Sequence, residues 1–227
     1  MKMKKHILYG VLLSTASCYA YGSNENYKFN IGAQGGYLSQ FADLKRTPDA
    51  SLKLDGNYKS KISDESASGG VFAGVIYNKN NLHLGIELFL NYAESSASLD
   101  NERITLVAHL INKLTMTHTL GASALIGYKI QSTTPYLKVG IVNTRWKFNC
   151  IAKTDEDSMS KTYKKYKVGL HLAAGMDVDL KENFKIGMEF SHSRYEKLSH
   201  KSKVCGSVTV KPRANTFMIR FSYVFNI

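Results

Sequence analysis

Three side chains that could form a hydrolytic relay fall within five residues: Glu189, His192 and Ser193. Acyl transfer to a hydroxyl needs an acid to orient an imidazole and an imidazole to take the hydroxyl proton. The local pattern argues against the relay. Phe184 to Ser193 alternates apolar and polar residues, as a strand does, and a strand sends successive side chains to opposite faces. His192 then points away from both Glu189 and Ser193. The other histidines beyond residue 22, His83, His109, His118, His171 and His200, lack ligand spacing for a metal beside an acid. No glycine-rich phosphate loop is present either, so the residues imply no metal and no cofactor.

A second set of chemically capable residues is a group of charges set inside otherwise apolar segments: Glu87, Lys129, Lys138, Glu189 and Arg220. Each falls on the polar face of its segment. Charges removed from water on such a face must find partners, so the five are expected to pair as a network. The alternative is a narrow polar conduit. Two further groups lie in polar stretches. Cys150 and Cys205 are the two cysteines beyond Cys18, and an oxidising compartment favours their disulfide over two separate thiols. Arg194, Lys197, Lys201, Lys203, Lys211 and Arg213 face a single acid, Glu196. Such a cluster suits phosphate or sulfate, and the alternative is an ordinary solvated segment.

The elements that position these residues read as strands. From Phe217 to Ile227 one alternate set is Phe217, Ile219, Phe221, Tyr223, Phe225 and Ile227; between them lie Met218, Arg220, Ser222, Val224 and Asn226. Strand three, Leu82 to Tyr92, alternates as cleanly. Six more segments follow the rule: Tyr27–Leu38, Gly70–Tyr77, Thr119–Ile130, Pro135–Asn149, Tyr166–Asp179 and Phe184–Ser193. Short turns at Asn78–Asn81, Gln131–Thr134 and Lys181–Asn183 alternate with long polar segments at 39–68, 93–117, 150–164 and 194–214. Residues 93–117 stay open: Val107, Leu110, Ile111 and Leu114 fit a short amphipathic helix, yet their β-branched content also permits a strand. Trp146, Tyr136, Phe148 and Tyr92 read as interfacial girdle aromatics.

Lys2, Lys4 and Lys5 precede a mostly apolar stretch, Ile7 to Ala16, that is too short to cross a bilayer. Small residues follow, and residues 1–22 read as a cleavable secretory signal ahead of one domain, 23–227. Thr15-Ala16-Ser17-Cys18 leaves a lipid-modified Cys18 as the alternative. The chain carries a net charge of +12, but no helix-turn-helix pattern, zinc spacing or basic helix accompanies it, so nucleic acid is not the expected partner. An exported chain whose strands each carry one lipid-compatible face is expected to close into a barrel, because lipid cannot satisfy open backbone groups. Eight strands with alternately long and short connections give an all-β, eight-stranded antiparallel transmembrane β-barrel. It would have four long outer loops and short periplasmic turns.

Gly85-Ile86-Glu87, Gly127-Tyr128-Lys129, Gly187-Met188-Glu189 and Phe221-Ser222-Tyr223-Val224-Phe225 resemble segments of the small eight-stranded outer-membrane β-barrel proteins. That family includes the opacity-type surface proteins and porin-like surface antigens of Gram-negative bacteria. The resemblance implies the outer membrane, contact with its lipid and lipopolysaccharide, and insertion by the barrel-assembly machinery. Members usually end on an aromatic residue; here Phe221, Tyr223 and Phe225 keep that phase and Ile227 ends the run. The expected role is structural or adhesive, with a surface-antigen character and a host-cell or glycan ligand among the partners. A narrow porin-like channel and, more weakly, a lipid A-modifying enzyme are the alternatives.

Overall fold

The alternation read from the sequence becomes a closed sheet. The structure, a computed structural model, describes residues 26–47, 58–105, 108–154, 158–181, 183–202 and 206–226. Nine antiparallel strands form it: β1 (Tyr27–Thr47), β2 (Tyr58–Lys79), β3 (Leu82–Thr105), β4 (Ala108–Tyr128), β5 (Thr133–Thr154), β6 (Ser158–Lys181), β7 (Phe184–Tyr195), β8 (Leu198–Ser202) and β9 (Gly206–Asn226). β1 pairs with both β2 and β9, which closes the ring. The short β8 continues the line of β7 along β9, so the ring has eight staves. The expected eight-stranded barrel is what forms, and closure leaves no strand edge to lipid.

One end is trimmed by tight turns. Asn80 and Gln131 both adopt φ of 55° there, and Asn tolerates this left-handed region at little cost. The other end departs from expectation. Much of each polar segment assigned to a long outer loop is strand: β1 continues to Thr47, β2 begins at Tyr58, β5 runs to Thr154 and β6 begins at Ser158. Residues 93–117 pair as β3 and β4, so the helical alternative is replaced by a hairpin arm.

These extensions invert the face pattern. On β5 the outward row runs Leu137, Val139 and Ile141, then changes to Asn143, Arg145 and Lys147. The inward row changes the opposite way, from Lys138 to Val142, Trp146 and Phe148, all buried. β3 does the same: the exposed apolar row from Leu82 ends at Tyr92 and continues as Glu94 and Ser98, while Ala93 and Ala97 turn inward. Lipid outside demands an apolar exterior, and water outside demands an apolar interior. The row from Leu82 to Tyr92 spans about 25 Å of height, the expected thickness of the apolar band. Beyond it stands a water-facing turret with its own core of Leu38, Leu44, Ile62, Leu114, Trp146 and Val208.

Trp146, Tyr136 and Phe148 are therefore not girdle residues. They are 1%, 4% and 8% exposed and lie inside the barrel, because their even-numbered positions share the inward face with Lys138. Tyr92, 60% exposed, stays on the outer wall. A register shift against β5 between Met116 and Thr119 breaks the alternation along β4. Leu114 and Met116 face inward on even positions, Thr119, Gly121 and Ser123 on odd ones, as a bulge requires.

Candidate functional site: a charge network across the lumen

Glu87, Lys138 and Glu189 sit on β3, β5 and β7, each one stave from the next, and Arg220 sits on β9, directly beside β7. Each has a short neighbour across at least one strand pair: Gly74 and Ser123 flank Glu87, Ala173 lies beside Lys138, Gly175 beside Glu189 and Gly187 beside Arg220, while Leu125, Met218 and Gln34 stand on the other side of the last three. Small neighbours leave the axis open for long side chains, and the four meet there. Lys138 Nζ donates to Glu87 Oε1 at 2.5 Å and to Glu189 Oε2 at 2.6 Å. Arg220 donates through Nη2 to Glu87 Oε2 at 2.5 Å and through Nη1 to Glu189 Oε2. Acid and base alternate around the ring, and the four side chains are between 1 and 8% exposed. Two cations and two anions leave the layer neutral, which is how charges tolerate so little water.

Two residues missed in the sequence complete this layer. The Tyr136 hydroxyl donates to Glu189 Oε2 at 3.0 Å and accepts from Arg220 Nη1 at 3.0 Å. The Phe72 ring lies 3.9 Å from the Arg220 guanidinium carbon, a cation–π stack. Both rings are seated over a glycine directly across the strand pair, Phe72 over Gly32 and Tyr136 over Gly175. A Cβ at Gly175 would come within 2.4 Å of the Tyr136 ring. Inward glycines opposite inward aromatics are the signal that could have located these residues.

Lys129, expected in the network, stands apart from it. It follows the last residue of β4 and bonds Asp179 at 2.7 Å, with Lys185 on the other carboxylate oxygen at 3.3 Å. Ser123, the β4 residue beside Glu87, lies six positions earlier along the chain, so Lys129 reaches only the rim. On the far side of the layer the interior turns to hydroxyls, Thr119 to Thr144 at 2.8 Å and Thr144 to Tyr195 at 3.1 Å. The apolar core of the turret follows.

The hydrolytic trio is not assembled. His192 Nδ1 meets Asn215 Oδ1 at 2.7 Å on the outer wall, while Glu189 and Ser193 face the lumen. Ser193 instead contacts His171 Nδ1 at 3.0 Å, both buried. The cavity beside them, about 20 Å³, holds a single water at most. Among the basic group, Arg194, Lys197, Lys211 and Arg213 are placed on or beside β7, β8 and β9, and Arg213 pairs with Asp43 of β1. Lys201 belongs to β8; Lys203 lies outside the described residues. So does Cys205, and with it the pairing of Cys150. Ile227 and the segment 1–22 also lie outside them. Phe221 and Phe225 are exposed on the outer wall, and Tyr223 packs against Phe184 at 4.9 Å.

The family profile described as outer membrane protein beta-barrel domain matches residues 10–225. The chain belongs to that family. Its place is the outer membrane, in contact with lipid and lipopolysaccharide. Among solved structures, the outer membrane protein OprG from Pseudomonas aeruginosa is similar at 17% identity, covering 90% of this chain and 99% of its own, with a TM-score of 0.54. The outer membrane protease OmpT from Escherichia coli is similar at 9% identity, covering 87% and 97%, with a TM-score of 0.50. At these identities the likeness is one of fold. No curated protein sequence matches the chain.

Proposed function

We propose that this outer-membrane barrel is a sealed, non-enzymatic surface protein with a structural or adhesive role, its turret being the part presented to the exterior. The observation that carries the reading is the neutral four-charge layer, which spans the lumen beneath an apolar core. Ions crossing such an interior would have to displace buried ion pairs and then pass dry side chains, both steep barriers. A surface antigen or adhesin needs a stiff scaffold rather than a conduit, and the extended strands supply one. A lipid A-modifying role finds no support among the described residues, where the one buried imidazole–hydroxyl contact, His171 to Ser193, is enclosed away from lipid. Export by residues 1–22, insertion guided by Phe221, Tyr223, Phe225 and Ile227, a Cys150–Cys205 disulfide and a host-cell or glycan ligand belong to the same proposal.

Planar-bilayer recording of the refolded full chain tests it. A sealed lumen gives no stable unitary step at any holding potential. Reproducible steps of one size would establish the narrow porin-like channel instead.

A further inference from the structure

We infer that the gap between β6 and β8 on the turret is a docking edge for an extended, acidic stretch of polypeptide, added there as a further strand. A membrane demands a closed ring of strands, and water does not. The ladder between β6 and β7 ends where the Glu196 N–H donates to the Val168 carbonyl at 3.1 Å. Beyond that point, among the described residues, Ser158–Lys167 of β6 has ladder partners in β5 alone, and β8 has them in β9 alone. Arg145 and Lys147, beside this stretch on β5, already belong to the water-facing row. Two edge strands therefore border the gap, each turning half of its backbone donors and acceptors away from its one partner. The gap on the opposite side, between β2 and β3, is clasped: Asp64 accepts from Ser95 Oγ at 2.9 Å and from the Ser96 N–H at 2.5 Å. At the β6–β8 gap the ion pair of Lys167 with Glu196, at 3.5 Å, stands at the foot of the opening. Lys165 shares the inward parity of Tyr163 and Lys167 yet is exposed, so water enters there.

Three features select the occupant. An edge strand is completed by another strand, whose main chain supplies the partners it lacks. Lys164, Lys165 and Lys197 are exposed and have no ion-pair partner among the described residues, while Glu196 is taken by Lys167. Acidic side chains would answer them, and the same lysines repel the basic edge of a second copy of this chain. A pocket of about 30 Å³, lined by Trp146, Tyr163, Lys165, Leu198 and Ser199, opens at the gap. It has room for a small aliphatic group and no more. Trp146 carries a buried indole N–H with no acceptor among the described residues, so an incoming carbonyl would find a donor. One extended segment that alternates acidic and small apolar residues meets all three conditions. Lys197 belongs to the basic group picked out in the sequence; Lys164 and Lys165 come from another strand, which spacing along the chain cannot show. The inference deepens the proposed adhesive role and rests on it for a turret that faces the exterior, but not for a sealed lumen.

The test compares the full chain in detergent micelles with Lys164→Gln/Lys165→Gln/Lys197→Gln and with Lys45→Gln/Lys61→Gln/Lys211→Gln. The second variant removes the same charge from exposed positions on β1, β2 and β9, and heat-modifiable migration verifies that both fold. The probe is a ten-residue peptide of alternating glutamate and valine; titration calorimetry reads its binding, with Trp146 emission as a second signal. We expect saturable binding to the parent and a loss of about tenfold in the β6–β8 variant, from three exposed charge pairs of modest individual strength. The control variant should change little. The same peptide N-methylated at every residue keeps its charge and loses its main-chain donors, and its binding to the parent should fall by about tenfold or more. No binding by the parent, or equal binding by the parent and the β6–β8 variant, overturns the site. Equal loss in both variants overturns it too, by reducing the effect to net charge. Undiminished binding of the N-methylated peptide rejects strand addition, and so does tighter binding of a heparin oligosaccharide that the β6–β8 variant alone loses, which would assign the lysines to an anionic glycan. Unitary steps in the bilayer recording would remove the sealed lumen and leave each of these results as it stands.

Discussion

Replacing Arg220 with Met should destabilise this barrel more than replacing all four charges of the lumen layer at once. Arg220 bonds Glu87 at 2.5 Å, bonds Glu189, meets the Tyr136 hydroxyl at 3.0 Å and stacks on Phe72. Without it, two buried carboxylates share Lys138 alone. An uncompensated buried charge costs about 3–5 kcal/mol, a large part of the roughly 5–15 kcal/mol that holds a typical domain folded. The quadruple variant Glu87→Leu/Lys138→Met/Glu189→Leu/Arg220→Met also removes the pairs but strands no charge and relieves the desolvation of all four groups. It should come within about 1 kcal/mol of the parent or exceed it. Equilibrium unfolding in urea, in phospholipid vesicles, reads both through Trp146 emission and heat-modifiable migration. The reasoning fails if Arg220→Met costs under about 1 kcal/mol, or if the quadruple costs as much as the single changes summed.

Other outcomes follow from the same geometry. Gly175→Ala drives a methyl into the Tyr136 ring and should cost about 1–3 kcal/mol; an unchanged unfolding midpoint would show the ring has room to move. Trp146 is the only tryptophan, and its place in the turret core makes its emission blue-shifted yet insensitive to brominated acyl chains, whereas an interfacial position would be strongly quenched. Trp146→Ala should cost about 3–5 kcal/mol, measured by the same unfolding curves with heat-modifiable migration as the probe. Asp43→Asn breaks a pair that is 40% and 43% exposed, so its cost should stay below about 1 kcal/mol; a larger one would mean the turret depends on that contact. For the Cys150–Cys205 disulfide, a shift in non-reducing migration that Cys205→Ser abolishes is expected, and identical migration refutes it.

The membrane-spanning part was legible because one physical demand, hydrocarbon outside, holds along a whole strand. Leu82 to Tyr92 and Phe217 to Phe225 show it without help from the fold. The extensions were hidden because the demand reverses at the membrane surface. Gln40, Ala42 and Leu44 on β1, or Val208, Val210 and Pro212 on β9, put the buried row amid lysines and serines and read as loop. On β4 the shift at Thr117 and His118 swaps odd and even positions in mid-strand, which removes the period on which such reading depends. The charges of the lumen were legible one by one, but their meeting depends on registers across the five strand pairings from β3 to β9. Tyr136 shows the cost: its parity with Lys138 was visible, yet an aromatic near a strand end was assigned to the girdle. Lys129 erred the other way, since alternation was carried past the end of its strand.

The reversal of faces along one strand is tested most directly by a spin-label scan of β5 from residue 137 to residue 149, in a background with the native cysteines replaced, in lipid vesicles. Labels at 137, 139 and 141 should collide with dissolved oxygen, labels at 143, 145 and 147 with a water-soluble nickel chelate, and labels at 142, 144, 146 and 148 with neither. Oxygen contact persisting through 147, or nickel access at 142 to 148, would contradict a barrel that is ionic within the membrane and apolar above it.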